Sequence, residues 1–276
     1  MDTSRTLVKV IVPVYQERLE QYEWISLRQN RQVLKAYPFV FIRPMGLDIS
    51  QLLKEFPGCQ EEAFDDEYFR NIAGYNRLMM SADFYRRFRD SDYLLICQLD
   101  VFVFRDELLD WCNEGYDYIG APWLVPMLFQ LPLFKQWRKY FHNRYRTEKD
   151  FKVGNGGFSL RKVSSHLQAT EQLQDAIHIH QSRQKHFSNE DLFFAIEVNK
   201  HGMNFSYPDY KKALQFSFDK YPSLCYKENK NRLPFGCHAW YKEKMQKFWF
   251  PIIFGKERIT GGNDSSFTAN PLSISL

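Results

Sequence analysis

In the stretch Tyr93–Phe104, YLLICQLDVFVF, apolar runs flank Gln98-Leu99-Asp100. A carboxylate just past the end of a buried strand stands where an open parallel sheet binds its ligands. Hard oxygen ligands there suit Mg²⁺ or Mn²⁺, and such a cation bridges the phosphates of a bound nucleotide. The same carboxylate can instead cap the next turn or meet a core arginine. Glu190 and Asp191, in SNED, open a predicted helix, and a helix N-terminus favours acids for structural reasons alone. Gly154, Gly156 and Gly157, in VGNGGFSLR, admit backbone conformations closed to other residues and let a ligand approach closely. That run lacks the Lys-Ser/Thr of a phosphate-binding P-loop, and it comes too late for a dinucleotide fingerprint. His178, His180 and His186 lie in a polar helical stretch where positions i and i+2 share no face, so they read as solvated.

These residues need a scaffold. LVKVIVPVY (7–15) reads as a buried first strand, QERLEQYEWISLRQNRQVLKAY as a helix and FVFIRP (39–44) as a second strand. Strand, helix, strand at this spacing is a βαβ unit, hence a parallel sheet. SQLLKEF reads as a short helix, and 65–88 as mainly helical with Asp65 as its cap. Tyr93–Gln98 is a central strand. RDELLDWCNEG is a helix closed near Gly115, and YDYIGAPW is a further strand. The glycine run is expected as a turn entering a strand. SSHLQATEQLQDAIHIHQSRQKH is expected as one polar helix, and SNEDLFFAIEVNKHG as a helix capped by Ser188 and ended by Gly202. YPSLCY and LPFGCHAW read as late strand or turn pieces, and the tail 255–276 as loose.

The chain has 276 residues, 44% of them hydrophobic and 25% charged, enough apolar material for a large core. Aromatic residues reach 17%, which suits stacking surfaces as well as core. A net charge of +4 without a long Lys/Arg block argues against a nucleic-acid arm. Five scattered cysteines without a CxxC pair argue against a disulfide scaffold or a cysteine zinc site. The N-terminus shows no signal-peptide pattern and no apolar run approaches the ~20 residues of a membrane-spanning helix, so the expected location is cytoplasmic. LVPMLFQLPLFKQWRKYF (124–141) and WYKEKMQKFWFPIIF (240–254) mix aromatics with basic residues. Such mixtures can rest on an anionic membrane face, or can be core with a snorkelling rim, which is the slightly favoured reading.

Taken in order, VIVPVY, QLD, VGNGGFSLR, NED and CHAW resemble the GT-A superfamily of nucleotide-sugar glycosyltransferases. GYNRLMMS, YDYIGAPW, GNGGFSLR and PFGCHAW together resemble, more narrowly, a bacterial family found in surface-polysaccharide contexts, over most of residues 7–245. The resemblance implies an α/β, GT-A-like fold with a mostly parallel sheet in one domain over 1–254. Residues 1–115 would form the nucleotide-sugar half and 116–254 the acceptor half. It implies transfer of a sugar from a nucleotide-sugar to a glycan or lipid-linked glycan, by inversion, with Mn²⁺ or Mg²⁺ held by Asp100 and His238. It also implies donor contacts from Pro13, Tyr15, Asn76, Arg77 and Gln98, acceptor contacts from Trp123, Gly154, Asn155, Gly156 and Gly157, and Asp191 as general base beside Glu190. Gln98 departs from the superfamily, which carries an acid there, although its amide can still bond ribose or sugar. The rival readings are a nucleotidyltransferase making activated sugars, whose N-terminal glycine loop is missing here, and a non-catalytic sugar- or nucleotide-binding subunit, which Gln98 favours.

Overall fold

The computed structural model describes residues 6–125, 148–183 and 188–255. Thr6–Pro13 (β1) is rich in β-branched residues, and Val8, Val10, Ile11 and Val12 are all buried, as in a strand covered on both faces. Gln21–Val33 (α1) returns the chain to Phe39–Pro44 (β2), parallel to β1 with Val10 opposite Phe39, which completes the expected βαβ unit. Ser50–Glu55 (α2) leads to Gln60–Phe64 (β3), a strand the sequence reading lacks. Its Glu61 and Glu62 face Arg43 and Arg87, so this edge strand carries charge where an interior one would be apolar.

The stretch expected as mainly helical over 65–88 is divided. Asp65 caps only a 3-10 turn at Asp66–Tyr68. Asn71 caps Ile72–Met79 (α3), and Ser81 caps Ala82–Arg87 (α4). Each cap satisfies N–H groups that a continuous helix would have bonded internally. Ser91–Cys97 (β4) then lies parallel to β1. Val101–Val103 (β5) leaves that sheet altogether. Leu108–Asn113 (α5) closes at Gly115, whose φ is +77°.

Tyr118–Pro122 (β6) and Val153–Lys162 (β7) complete the large sheet, in the order β3-β2-β1-β4-β7-β6. β7 runs antiparallel to both its neighbours, and the remaining pairings are parallel. The glycine run therefore lies within a strand and not in a turn before it. The long polar helix is two, Val163–Gln172 (α6) and Gln174–Gln181 (α7). Glu190–Leu192 (α8) continues through a π-helical turn at Phe193–Glu197 into Val198–Lys200 (α9), and Gly202 follows at φ +84°. Asn189, not Ser188, occupies the N-cap of α8.

Tyr210–Phe216 (α10) precedes the two-residue strand Ser217–Phe218 (β8). Pro222–Glu228 (α11) is a helix where strand or turn was expected, its Pro in the first turn where the missing N–H costs nothing. Gly236–His238 (β9) and Glu243–Phe254 (α12) complete the described chain. β5, β9 and β8 make a second sheet in that order.

Alternate residues of the large sheet feed two cores. Val8, Val10 and Leu95 join α1 and α5 on one face, while Ile11, Leu94 and Ile96 join α3, α4 and Phe193–Phe194 on the other. A third cluster forms around Phe102, Phe218, Trp240 and Trp249. Trp240 and Trp249 are buried, so the described aromatic segment 240–254 supplies core, in line with the reading favoured from sequence. Most of the 124–141 patch and of the 255–276 tail lies outside the described residues. Among those described, no helix is long and apolar enough to cross a membrane.

Candidate active site at the carboxyl ends of β1 and β4

β1 has β2 on one side and β4 on the other, so the direction of strand succession reverses between β1 and β4, where open α/β sheets bind ligands. Tyr15, just past β1, is exposed and feels the charge of Asp100. Pro13 is the last residue of β1, paired with Ile42 and buried, so it offers no surface to a nucleobase. The carboxylate inside an apolar stretch now has an explanation. Gln98-Leu99-Asp100 is the crossing between β4 of one sheet and β5 of the other, and Asp100 sits at the seam.

β5 pairs antiparallel with β9, Val101 opposite His238. That register sets His238 Nε2 3.1 Å from Asp100 Oδ1. On the other side, His238 Nδ1 lies 3.0 Å from Asp219 Oδ1. Burial pushes the imidazole down, but Asp100 and Asp219 overcome it and lift the group to about 10. Burial also works to raise Asp100 and Asp219, and the imidazole reverses it, leaving both carboxyls below their usual range.

Nε2 of His238 is buried without an aligned hydrogen bond. Two ligands bonded to one octahedral cation at ~2.1 Å and at right angles stand about 3.0 Å apart. The separation fits a divalent ion shared by Asp100 and His238 in place of the Nε2 proton, and the mixed O,N set suits Mn²⁺ better than Mg²⁺. Among the described residues no cluster of three His, Cys, Asp or Glu side chains could hold a metal, so remaining coordination would come from a ligand.

β7 brings the glycine run to this corner. Gln98 N–H donates to the Gly157 carbonyl at 2.9 Å. A Cβ on Gly157 would lie 2.5 Å from His238 Nε2 and 2.6 Å from Gln98 Oε1, and one on Gly156 would collide with Glu190. The glycines are needed for close approach. Asn155, at φ +66°, sits in the left-handed region that Asn tolerates. Its backbone N–H donates to Asp191 Oδ2 at 3.1 Å, its Oδ1 accepts from Gly157 N–H, and its Nδ2 is buried without a partner.

The two acids of SNED part company. Asp191 is half-buried, with Oδ1 accepting from Leu192 N–H. Burial raises its carboxyl and these N–H bonds restrain the rise, leaving it above the usual range and so a better proton acceptor. Glu190 points inward to the fully buried Arg161, 2.9 Å away. Burial lifts Glu190 to about 7 against the pull of that guanidinium. Arg161 also donates to Ser159 and the Gly156 carbonyl of its own strand and to Tyr85 of α4, so with Glu190 it ties β7 to both α4 and α8.

Helix α3 contributes differently from expectation. Asn76 is buried, donating to Asn189 Oδ1 and accepting from Glu190 N–H, both at 3.3 Å, so it braces the start of α8. Arg77 lies 3.9 Å from Glu67 on the preceding turn. The residue that α3 sends toward Gln98, Arg161 and Glu190 is Tyr75, whose buried hydroxyl has no aligned partner. Trp123 covers Gly154, with Lys149 Nζ 5.4 Å from its ring centre. His180, expected to be solvated, is buried and bonds the Asn189 carbonyl through Nε2 at 2.9 Å. Its i,i+3 spacing from buried Ile177 was the available signal. Asp219, Arg161 and Tyr75 escaped the sequence reading. Arg161 could have been noticed as a charge in an apolar strand, and Asp219 as an acid closing FSFD.

The family described as "Protein of unknown function (DUF5672)" matches residues 58–238. The chain belongs to that family. The match begins after β2 and ends at His238, so it takes in Asp100, the glycine run, Asp191 and Asp219. A comparison with curated protein sequences found no match. Among solved structures, galactosyltransferase LgtC in complex with donor and acceptor sugar analogs is similar at a TM-score of 0.54 and 11% identity, over 89% of this chain and 93% of that one. Mouse xyloside xylosyltransferase 1 in its apo form is similar at a TM-score of 0.51 and 13% identity, over 83% of this chain and 96% of that one. These likenesses, with the mostly parallel sheet, establish a GT-A-like fold.

Proposed function

We propose that the chain is a glycosyltransferase moving a sugar from a nucleotide-sugar donor to a glycan or lipid-linked glycan acceptor. The observation that carries the reading is the meeting of Asp100 and His238 with Gly156, Gly157 and Asp191 at the strand-order reversal of the sheet. Four elements distant in sequence contribute to one seam, and buried polar atoms of Tyr75, Asn155 and Glu190 have no aligned hydrogen-bond partner there. Unpaired buried polar groups cost about 1–3 kcal/mol each, which a polyhydroxylated ligand would offset. The LgtC structure holds donor and acceptor sugar analogs, which supports a two-substrate site on this fold.

Tyr15 stacks on the nucleobase and the Gln98 amide bonds ribose or donor sugar. Asp100 and His238 would hold a divalent cation, which would supply positive charge against the departing diphosphate. Lys242, close enough to lower both Asp100 and Asp219, adds to that neutralisation. Asp191 takes the acceptor hydroxyl proton as the oxygen bonds the anomeric carbon and the bond to diphosphate breaks, inverting the anomer. Trp123 offers a face to the acceptor sugar beside Asn155. The enzyme works in the cytoplasm, at the inner membrane face where the acceptor is lipid-linked.

The test is a thermal-shift screen of nucleotide-sugars with and without Mn²⁺, followed by donor hydrolysis. A donor at a hundred times its Kd stabilises by about 2.7 kcal/mol. No stabilisation by any donor would sink the proposal, and binding without hydrolysis or transfer would favour the non-catalytic reading that Gln98 suggests.

A further inference from the structure

Asp219 has no place in the sequence pattern of the site, yet the small sheet is arranged around it. β9 is the central strand, with β5 on one side and β8 on the other. Asp100 immediately precedes β5, and Asp219 immediately follows β8. Val101 faces His238 across one ladder, and Phe218 faces Cys237 across the other. The register therefore places one carboxylate on each side of His238, one at each ring nitrogen. We infer that Asp219 is a positioning residue of the cation site, gripping Nδ1 of His238 so that Nε2 is held toward Asp100.

The inference rests on the cation role proposed for Asp100 and His238. An imidazole can turn about two side-chain bonds, and here the 3.0 Å contact from Nδ1 to Asp219 Oδ1 fixes the ring. The far nitrogen is left 3.1 Å from Asp100 Oδ1 without an aligned hydrogen bond. Asp117 makes a useful contrast. Its carboxylate accepts from Ser165 and Ser206 hydroxyls and from the Ser206 N–H, a set that ties α6 and the segment at Ser206 to the start of β6. The hydrogen bond of Asp219 is to His238. Histidines that bind metals commonly donate their other N–H to a carboxylate, and loss of that carboxylate costs about 10–100-fold in metal affinity.

The experiment follows free Mn²⁺ by electron paramagnetic resonance during titration of the full chain. Manganese chloride is used alone, and then with saturating uridine diphosphate or guanosine diphosphate. Asp219→Ala is expected to raise the Mn²⁺ Kd by about 10–100-fold. Asp219→Asn, which keeps an acceptor oxygen for Nδ1–H, raises it less. Asp117→Asn lowers Tm and leaves the Kd unchanged, as a merely structural carboxylate should. Unchanged Mn²⁺ affinity in Asp219→Ala overturns the inference while the cation site stands, and if that variant does not fold, unchanged affinity in Asp219→Asn does so. If wild type binds no Mn²⁺ under any condition, or Asp100→Ala binds it normally, the cation role itself falls and the inference with it.

Discussion

Asp191 is aimed by backbone. One carboxylate oxygen takes the Asn155 N–H and the other the Leu192 N–H, so its position depends on the glycine strand and on its own helix together. If it only complemented the helix dipole, Asp191→Asn would cost about 0.3–1 kcal/mol of stability and little activity. As the general base it should lose kcat by roughly 10²–10⁴ while fold and donor binding persist. Turnover at saturating acceptor and the product's anomeric configuration by NMR read this out. A near-normal kcat or a retained anomer would assign the proton transfer, or the whole mechanism, to other groups. In the same seam, His238→Ala should raise the metal concentration for half activity, and Asp100→Ala should abolish transfer with the protein still folded. An unchanged metal dependence in the first would return His238 to a structural role.

At the scale of elements, the question is what locks α8 and α6 onto the sheet. Arg161 and Glu190 join β7 to α8 through a pair with almost no exposure, 0% and 3% for the two side chains. Such pairs are weak contributors to stability but costly to break singly. Arg161→Met should therefore destabilise by up to about 3–5 kcal/mol in urea titration, and adding Glu190→Leu should recover most of it. If the double variant is as unstable as the single one, the pair is not an isolated electrostatic unit. α6 is anchored by His166, buried among Tyr85, Phe194 and Phe205 with Nδ1 bonded to the Lys162 carbonyl. Burial first, then Arg161, pushes this imidazole down to about 3 from 6.5. Between those values the unfolded chain binds a proton that the native one refuses, so stability present above pH 6.5 is lost progressively as pH falls toward 3. His166→Leu should flatten that acid slope in denaturation curves taken across the window. An unaltered slope would assign it to other groups.

In the molecule as a whole β4 joins the two halves, since it pairs with β1 on one side and β7 on the other. The expected nucleotide half and acceptor half thus share one sheet. Far-ultraviolet circular dichroism and tryptophan fluorescence should report coincident urea transitions, because separating the halves would strip β7 from the edge of β4 and uncover the core that Phe193 and Phe194 share with Leu94 and Ile96. Two resolved transitions would show that 1–115 and 116–254 are independent units. Trp240 and Trp249 are committed to the core, so binding to anionic vesicles, if the protein sits on a membrane, should depend on basic residues of 124–141 and weaken with salt. Vesicle binding unaffected by charge reversal in that segment would place the contact elsewhere.

Apolar runs along the chain were enough to mark β1, β2, β4 and β6, because strands covered on both faces need apolar residues nearly throughout, and α1 was readable as the helix that must join β1 to β2. Gly115 and Gly202 were readable as helix ends because positive φ selects glycine there. The edge strand β3 was hidden because an edge needs charge, and α11 because YPSLCY carries strand-like residues that a Pro at the first turn makes helical. In the site, Asp100 and Asp191 could be singled out locally as acids at element ends, and the glycines as a run of their own, although they lie inside β7. Nothing local says that Asp219 and Asp100 flank one imidazole, that Glu190 faces Arg161, or that Tyr75 reaches inward where Arg77 does not. Those relations depend on which strands become neighbours, and strand order is decided by long-range pairing and burial, not by the residues beside each side chain.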